Sequence, residues 1–210
     1  MKEKIIIIGG GGHTKVLVDI IQKNNQYDIV GYVDFENLGE ILGVKYLGGD
    51  NCLIDFYNSG VNNAALGIGQ TCLTKKRYEI VYRIKKIGFY FPAILSRNAM
   101  TNQDVSIGEG VQVFDGAVVN CCTKIGKFTI INTNVTVEHD CKIGDFCHIA
   151  TGAVLSGGVE MGDFSMIGSN AVIVHCKKIV SECLIGSGGV VIKDITEKGI
   201  YVGNPVRKIK

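Results

Sequence analysis

The chain has four histidines, and three of them stand where chemistry could be done. His139 lies between Glu138 and Asp140. A carboxylate on one imidazole nitrogen fixes the tautomer and strengthens the ring as a base, which is the arrangement a general base needs. The competing reading is a solvated histidine beside ordinary surface acids. His148 follows nine residues later. His13 follows the run Gly9-Gly10-Gly11-Gly12, where it could contact a phosphate or cap a helix. A nucleophile of the G-x-S-x-G type does not occur. Eight cysteines are present without a CxxC pair, and Cys121-Cys122 has the wrong spacing for chelation from a strand. A metal site is therefore not expected.

The elements that must hold these residues are announced by a repeat. Cut into units of six from Val105 to Asp194, the sequence has an apolar residue at every third position, from Ile107, Val113 and Val119 through Ile185 and Val191. The first position is mostly small, as at Ala117, Thr123, Thr129 and Ala153. Hexapeptide periodicity is the signature of a parallel β-helix, whose stacked coils bury one continuous column. Ile107-Gly108, Ile125-Gly126, Ile143-Gly144 and Met161-Gly162 recur eighteen residues apart. Three hexads per coil give a triangular prism, and the predicted fold is a left-handed β-helix of about five coils. The glycines of these pairs are expected to supply positive φ at the corners. Cys141, Cys147 and Cys183 fall at the small first position, so they read as core packing, which fits a reducing compartment. His139 and His175 are two coils apart on one corner, about 10 Å at strand spacing, with Gly157 between them. That predicts a groove beside His139.

The residue before each inward position sorts by face. One face is polar: Ser106, Lys124, Lys142, Glu160, Lys178. The second reads Gln112, Ile130, His148, Met166, Leu184, and the third Val118, Thr136, Val154, Val172, Val190. Two apolar faces and one wet face predict a homotrimer of prisms, with His148 at the subunit interface. Alternatively, the N-terminal domain covers one apolar face.

Residues 1–90 differ in kind from residues 91–210. Lys4–Ile8 is a buried-strand pattern, followed by the glycines and a helix from His13 to Lys23 with Val16, Leu17, Ile20 and Ile21 inward. Ile29–Val33 is a second strand ending in Asp34, and Asn63–Ile68 a third, with Gly69 after it. Thr74–Ile87 reads as a basic helix. This order is an α/β, Rossmann-like domain. G-x-G-x-x-G counted from Gly9 fails at Thr14, and no second mononucleotide half follows, so a single nucleotide fits better than a dinucleotide. A tight turn without ligand is the alternative for the glycines, and a solvated strand-end acid for Asp34. Net charge is +2, from 22 basic and 20 acidic residues, which leaves no footprint for nucleic acid. The apolar run near the start is too short for a signal peptide or a membrane span, so a cytoplasmic protein is expected.

The hexads, the stretch INTNVTVEHDCKIGDFCHIATGAVLSGGV, the ending GIYVGNPVRKIK and the opening IIIIGGGGH together resemble the bacterial hexapeptide acetyltransferases. Within them the chain is similar to the sialic acid O-acetyltransferase and nucleotide-aminosugar N-acetyltransferase branch, of the bacillosamine or perosamine type. The resemblance implies acetyl-CoA as co-substrate, bound to the β-helix between subunits. It implies a nucleotide-linked amino sugar as acceptor, with Gly11, Gly12 and His13 near phosphates or nucleoside, Asp34 near the base, and Gly69 in the same pocket. His139 matches the family's catalytic base and Asp140 its carboxylate partner. Asn132 and His148 match positions lining acceptor and thioester, while Gly157, Gly168, Ser169 and Ser187 fall where relatives contact CoA. Some relatives have a second acid after the first at the end of strand two, where this chain has Phe35. Sugar O-acetylation, and a non-catalytic β-helix scaffold, are the rival readings.

Overall fold

The structure is a computed structural model that describes residues 2–210. The chain divides into two compact units, one running to Gly69 and resuming over Lys75–Ser96, the other made of Gln70–Thr74 and Arg97–Lys210.

The first unit is built on a four-stranded parallel sheet. Its strands are β1 (Glu3–Ile8), β2 (Tyr27–Val33), β3 (Tyr46–Gly48) and β4 (Asn63–Leu66), in the order β3-β2-β1-β4. Ile5, Ile6, Ile7 and Ile8 are all buried, without alternation. That is how a central strand covered on both faces reads in sequence. Helix α1 (Gly12–Asn24) connects β1 to β2 and buries Thr14, Leu17, Val18, Ile20 and Ile21. Val16, expected inward, is exposed. The buried stripe is 14, 17, 18, 21, which is the three-four spacing of one helical face. Helix α2 spans Leu53–Asn58 and α3 Lys76–Lys85. The basic residues of α3 mostly face out, but Arg77 is buried with Val81 and Ile84.

The second unit is a left-handed parallel β-helix. Its rungs are two-residue strands, each one outward and one inward residue, paired with the rungs eighteen residues before and after: Lys124 with Lys142, Ile130 with His148, Thr136 with Val154. Three parallel sheets result. The inward column is closed to water, with Val113, Ile131, Val137, Ile149, Leu155, Ile167 and Ile173 at 0% exposure. Small first-position residues let the corners tuck under it. Where they are hydroxyls, they join successive coils: Thr129 Oγ1 donates to Gly144 O at 2.8 Å and accepts from Cys147 N at 3.0 Å. The buried hydroxyl of Thr129 is thus satisfied. Cys141, Cys147 and Cys183 are buried and free, and burial pushes the Cys141 and Cys183 thiols up, keeping them protonated. The polar face carries a column in which Glu160 bonds Lys142 at 2.9 Å and Lys178 at 3.1 Å. The end of the prism is closed by an antiparallel hairpin, Gly199–Gly203 with Val206–Lys208, which continues the sheet beyond Cys183–Ile185. This covers a strand edge that would otherwise be open to another chain.

The corners correct one expectation. Positive φ sits at the sixth position of every hexad but the last, one turn residue at a time, including Asn134, Asp140, Phe146, Phe164, Asn170 and Cys176. Asn and Asp tolerate the left-handed region, but Phe and Cys there are held by the stack. Phe128, Phe146 and Phe164 form a ring ladder with centroids 4.9 and 5.5 Å apart. The glycines after Ile or Met have ordinary φ. They are glycines because a Cβ at Gly108 would sit 2.8 Å from Lys127 N of the next coil, and at Gly126, Gly144 and Gly162 closer still. Close stacking of corners, not backbone handedness, selects them.

Candidate functional site

The glycine loop between β1 and α1 uses its glycines for different reasons. Gly9 has φ +102. A Cβ on Gly10 would lie 2.6 Å from the Tyr32 ring. At Gly11 and Gly12 no atom comes within 4 Å of where a side chain would begin. Gly11 is the N-cap of α1, no side chain caps the helix, and Thr14 N donates to Gly11 O at 3.1 Å; a helix N-terminus of this kind suits an anion. His13 does not cap it either; its ring packs against Gly69, 3.4 Å from the place a Cβ would occupy. Thr14 takes the place of the missing third glycine and inverts the usual packing. Its Oγ1 lies 2.7 Å from Gly9 O and 3.0 Å from Gly67 O, and the close approach is absorbed by Gly67. Asp34 ties the loop from the opposite side: Gly10 N donates to Oδ2 at 2.6 Å and Phe35 N to Oδ1 at 2.7 Å. Its carboxylate is a tether for the loop, whatever it does for a ligand. Gly11, Gly12, His13, Asp34 and Gly69 thus belong to one end of one sheet.

In the β-helix the expected residues fall into two groups. His139, Asp140 and Gly157 share the corner after the third face. His139 Nδ1 is 2.8 Å from Asp140 Oδ2. An ionised carboxylate only accepts, so Nδ1 carries the hydrogen and Nε2 is left as the basic nitrogen. Glu138 does not take part; it accepts from Asn120 Nδ2 at 2.9 Å, one coil below. The glycine beside His139 leaves less space than expected. A Cβ at Gly157 would lie 2.7 Å from Nε2 and 2.8 Å from Cε1, so the imidazole itself fills the gap. His175 is exposed on the same corner.

The second group is on the corner after the second face. Asn132, Gly168, Ser169 and Ser187 lie there, one or more coils apart. Asn132 Oδ1 accepts from Thr133 N at 2.8 Å, which turns its amide nitrogen to His148 Nε2 at 3.0 Å. His148 Nδ1 meets Gln70 O at 2.8 Å. A carbonyl only accepts, so Nδ1 carries a hydrogen. His148 is 7% exposed, under a segment of its own chain. Gln112 and Ile130 on that face are buried too, so the second face is partly covered without a partner. The third face stays half-buried along Val118, Thr136, Val154, Val172 and Val190. It separates the two groups, with the His139 corner on one edge and the Asn132 corner on the other. Gln70 was missed in sequence because nothing in its neighbours marks it as buried.

Comparison with known proteins gives this arrangement its family. Residues 4–81 match the PglD N-terminal domain. Residues 122–157 and 140–175 match the bacterial transferase hexapeptide repeat. The first match falls mainly on the first unit and the second wholly on the β-helix unit. Perosamine N-acetyltransferase from Caulobacter crescentus, solved with CoA and GDP-perosamine, is similar over 99% of this chain and 97% of its own, at 29% identity and TM-score 0.93. Two further structures of that enzyme have one histidine replaced by Asn or Ala. The acetyltransferase domain of PglB from Neisseria gonorrhoeae, solved with acetyl coenzyme A, matches over the full length of both chains, at 29% identity and TM-score 0.90. WeeI from Acinetobacter baumannii matches over 99% of this chain and all of its own, at 26% identity and TM-score 0.86. No curated protein sequence matches the chain. Both units of the chain therefore have counterparts in one set of solved acetyltransferases. Among its described residues no helix is long and apolar enough to cross a membrane.

Proposed function

We propose that the chain transfers the acetyl group of acetyl-CoA to the amino group of a nucleotide-linked 4-amino-4,6-dideoxy sugar, with His139 as general base. The observation that carries this reading is the His139–Asp140 pair, which leaves Nε2 free to accept a proton. The neutral sugar amine attacks the thioester carbonyl and forms the C–N bond. Nε2 accepts a proton from the nitrogen, the C–S bond breaks, and the proton passes to the departing sulfur. Backbone N–H groups near the corner glycines stabilise the tetrahedral oxyanion. Most of the remaining rate comes from holding two bound substrates in contact. Gly11, Gly12, His13, Asp34 and Gly69 take the nucleotide end of the acceptor. Asn132 and His148 line the reacting groups, and Gly157, Gly168, Ser169 and Ser187 the CoA.

The two β-helix groups lie on opposite edges of one apolar face. A homotrimer in which the third face meets a neighbour would bring the His139 edge of one copy to the Asn132 edge of the next. This reading needs one sticky face per copy and a different surface receiving it, not two equivalent faces. Free thiols and an acetyl-CoA co-substrate favour a cytoplasmic site of action. Free-thiol release from acetyl-CoA across UDP-, GDP- and dTDP-linked amino sugars tests the function; no release with any of them would refute it.

Asp140→Asn probes the base more finely. An amide can donate to Nδ1 and so favours the wrong tautomer, with the hydrogen on Nε2. Because the side chains of His139 and Asp140 are 59% and 66% exposed, water competes for the same role. We expect kcat to fall about ten- to a hundredfold with KM for both substrates nearly unchanged, a smaller loss than a buried orienting aspartate gives. Steady-state kinetics on both substrates is the check.

A further inference from the structure

Gln70 is the one buried side chain of the β-helix unit with an amide nitrogen that no atom of the described residues accepts. The residue is 4% exposed, so bulk solvent hardly reaches it. Its main-chain carbonyl is fully occupied in structural work: it takes the Nδ1 hydrogen of His148, whose Nε2 in turn accepts from Asn132. The side chain is not needed for that contact. A buried donor left without an acceptor costs stability, and native proteins keep few of them. One that persists beside a chain of oriented polar groups is accounted for when a ligand supplies the acceptor.

We propose that Gln70 is a ligand-binding residue whose side-chain amide donates to an uncharged oxygen of a bound substrate. This rests on the acetyl-transfer reading given above. The chemistry selects the class of acceptor. A neutral amide N–H suits a hydroxyl or carbonyl oxygen, whereas phosphate oxygens draw cations and helix N-termini. Two sources fit, a hydroxyl of the acceptor sugar or the carbonyl of the acetyl thioester. The neighbouring polar groups are already committed: Asn132 Oδ1 to Thr133 N, Asn132 Nδ2 to His148, and His148 Nδ1 to Gln70 O. Gln70 Nε2 is the buried amide donor of the β-helix unit that has no acceptor among the described residues.

The test uses Gln70→Met, which keeps length and shape without the donor, and Gln70→Leu as a second apolar variant. Two quantities are measured on the whole protein: the melting temperature without ligand, and the affinities for acetyl-CoA and for the amino sugar nucleotide that the wild type acetylates, each alone, by calorimetry. The proposal expects an unliganded melting temperature equal to or above that of the wild type, because an unsatisfied donor has been removed. It expects one of the two affinities to weaken about five- to twentyfold and the other to stay within twofold. Weakening for acetyl-CoA assigns the donor to the thioester carbonyl, and weakening for the sugar nucleotide assigns it to a hydroxyl. A fall in melting temperature in both variants, or unchanged affinity for both ligands, overturns the proposal. A wild-type protein that binds neither ligand overturns the acetyl-transfer reading instead.

Discussion

Replacing His139 with Ala is expected to lower kcat by about a hundred- to ten-thousandfold, the usual contribution of a positioned general base. KM for acetyl-CoA and for the sugar nucleotide should change by no more than a few fold. The reason lies in the geometry. Nδ1 is held by Asp140 at 2.8 Å, so the ring presents one basic nitrogen, and the corner it sits on needs no side chain from it to stack. The fold around it is built from main-chain bonds: Gly158 N donates to His139 O at 2.9 Å, and this survives the substitution. An Ala variant should therefore melt like the wild type. His139→Asn should behave the same, since it can hydrogen-bond but cannot take a proton near neutral pH. Stopped or steady-state assays at saturating levels of both substrates measure the effect. A kcat within threefold of the wild type would remove His139 from the mechanism.

Gly157→Ala carries the second large effect, and it separates position from chemistry. The added Cβ would stand 2.7 Å from the His139 nitrogen assigned as base. Backbone strain is not the cause, because positive φ falls on Gly158 and not on Gly157. The imidazole must swing away or give up its bond to Asp140. A displacement of about 1 Å at a reacting group can cost on the order of a hundredfold in rate, so kcat should fall about ten- to a hundredfold with stability nearly intact. The adjacent Gly158→Ala gives the opposite outcome. Its φ is +70, so an Ala there is strained and should cost roughly 1 kcal/mol of stability with kcat kept. Parallel kinetics and thermal melts of the two variants check the crossover. Equal loss of activity in both would mean that the corner, not the imbalance at Nε2, is what matters.

The β-helix was legible in the sequence because its constraint is periodic. An inward residue every sixth place and an eighteen-residue coil leave a pattern that survives without any long-range information, and the rungs Lys124, Lys142 and Glu160 stack in the expected register. The central strand of the first unit was legible for a similar reason, since Ile5–Ile8 buries both faces. What the pattern could not convey were distances between corners. Gly126 read as a corner glycine chosen for positive φ and Gly157 as one leaving a groove, yet one is set by the next coil and the other by an imidazole. Glu138 and Asp140 flank His139 equally in sequence, and only the ladder Asn102–Asn120–Glu138 reveals which of them is already engaged. Thr14 broke a glycine fingerprint for a reason visible only once Gly67 was beside it. His148 looked outward by register, and it is; that Gln70 covers it depends on contacts seventy-eight residues apart.

The proposed reaction acetylates an amine at the expense of acetyl-CoA. The most direct measurement compares two acceptors that differ in one group: a nucleoside-diphosphate 4-amino-4,6-dideoxy sugar and its counterpart with a hydroxyl at the same carbon. Free thiol is followed as CoA is released, and the product mass is read. Thiol release and an acetyl increment are expected with the amino sugar, little or none with the hydroxyl sugar, and loss of the first signal in His139→Ala. Acetylation of the hydroxyl sugar in preference to the amine would contradict the proposed reaction, and so would thiol release that does not depend on His139.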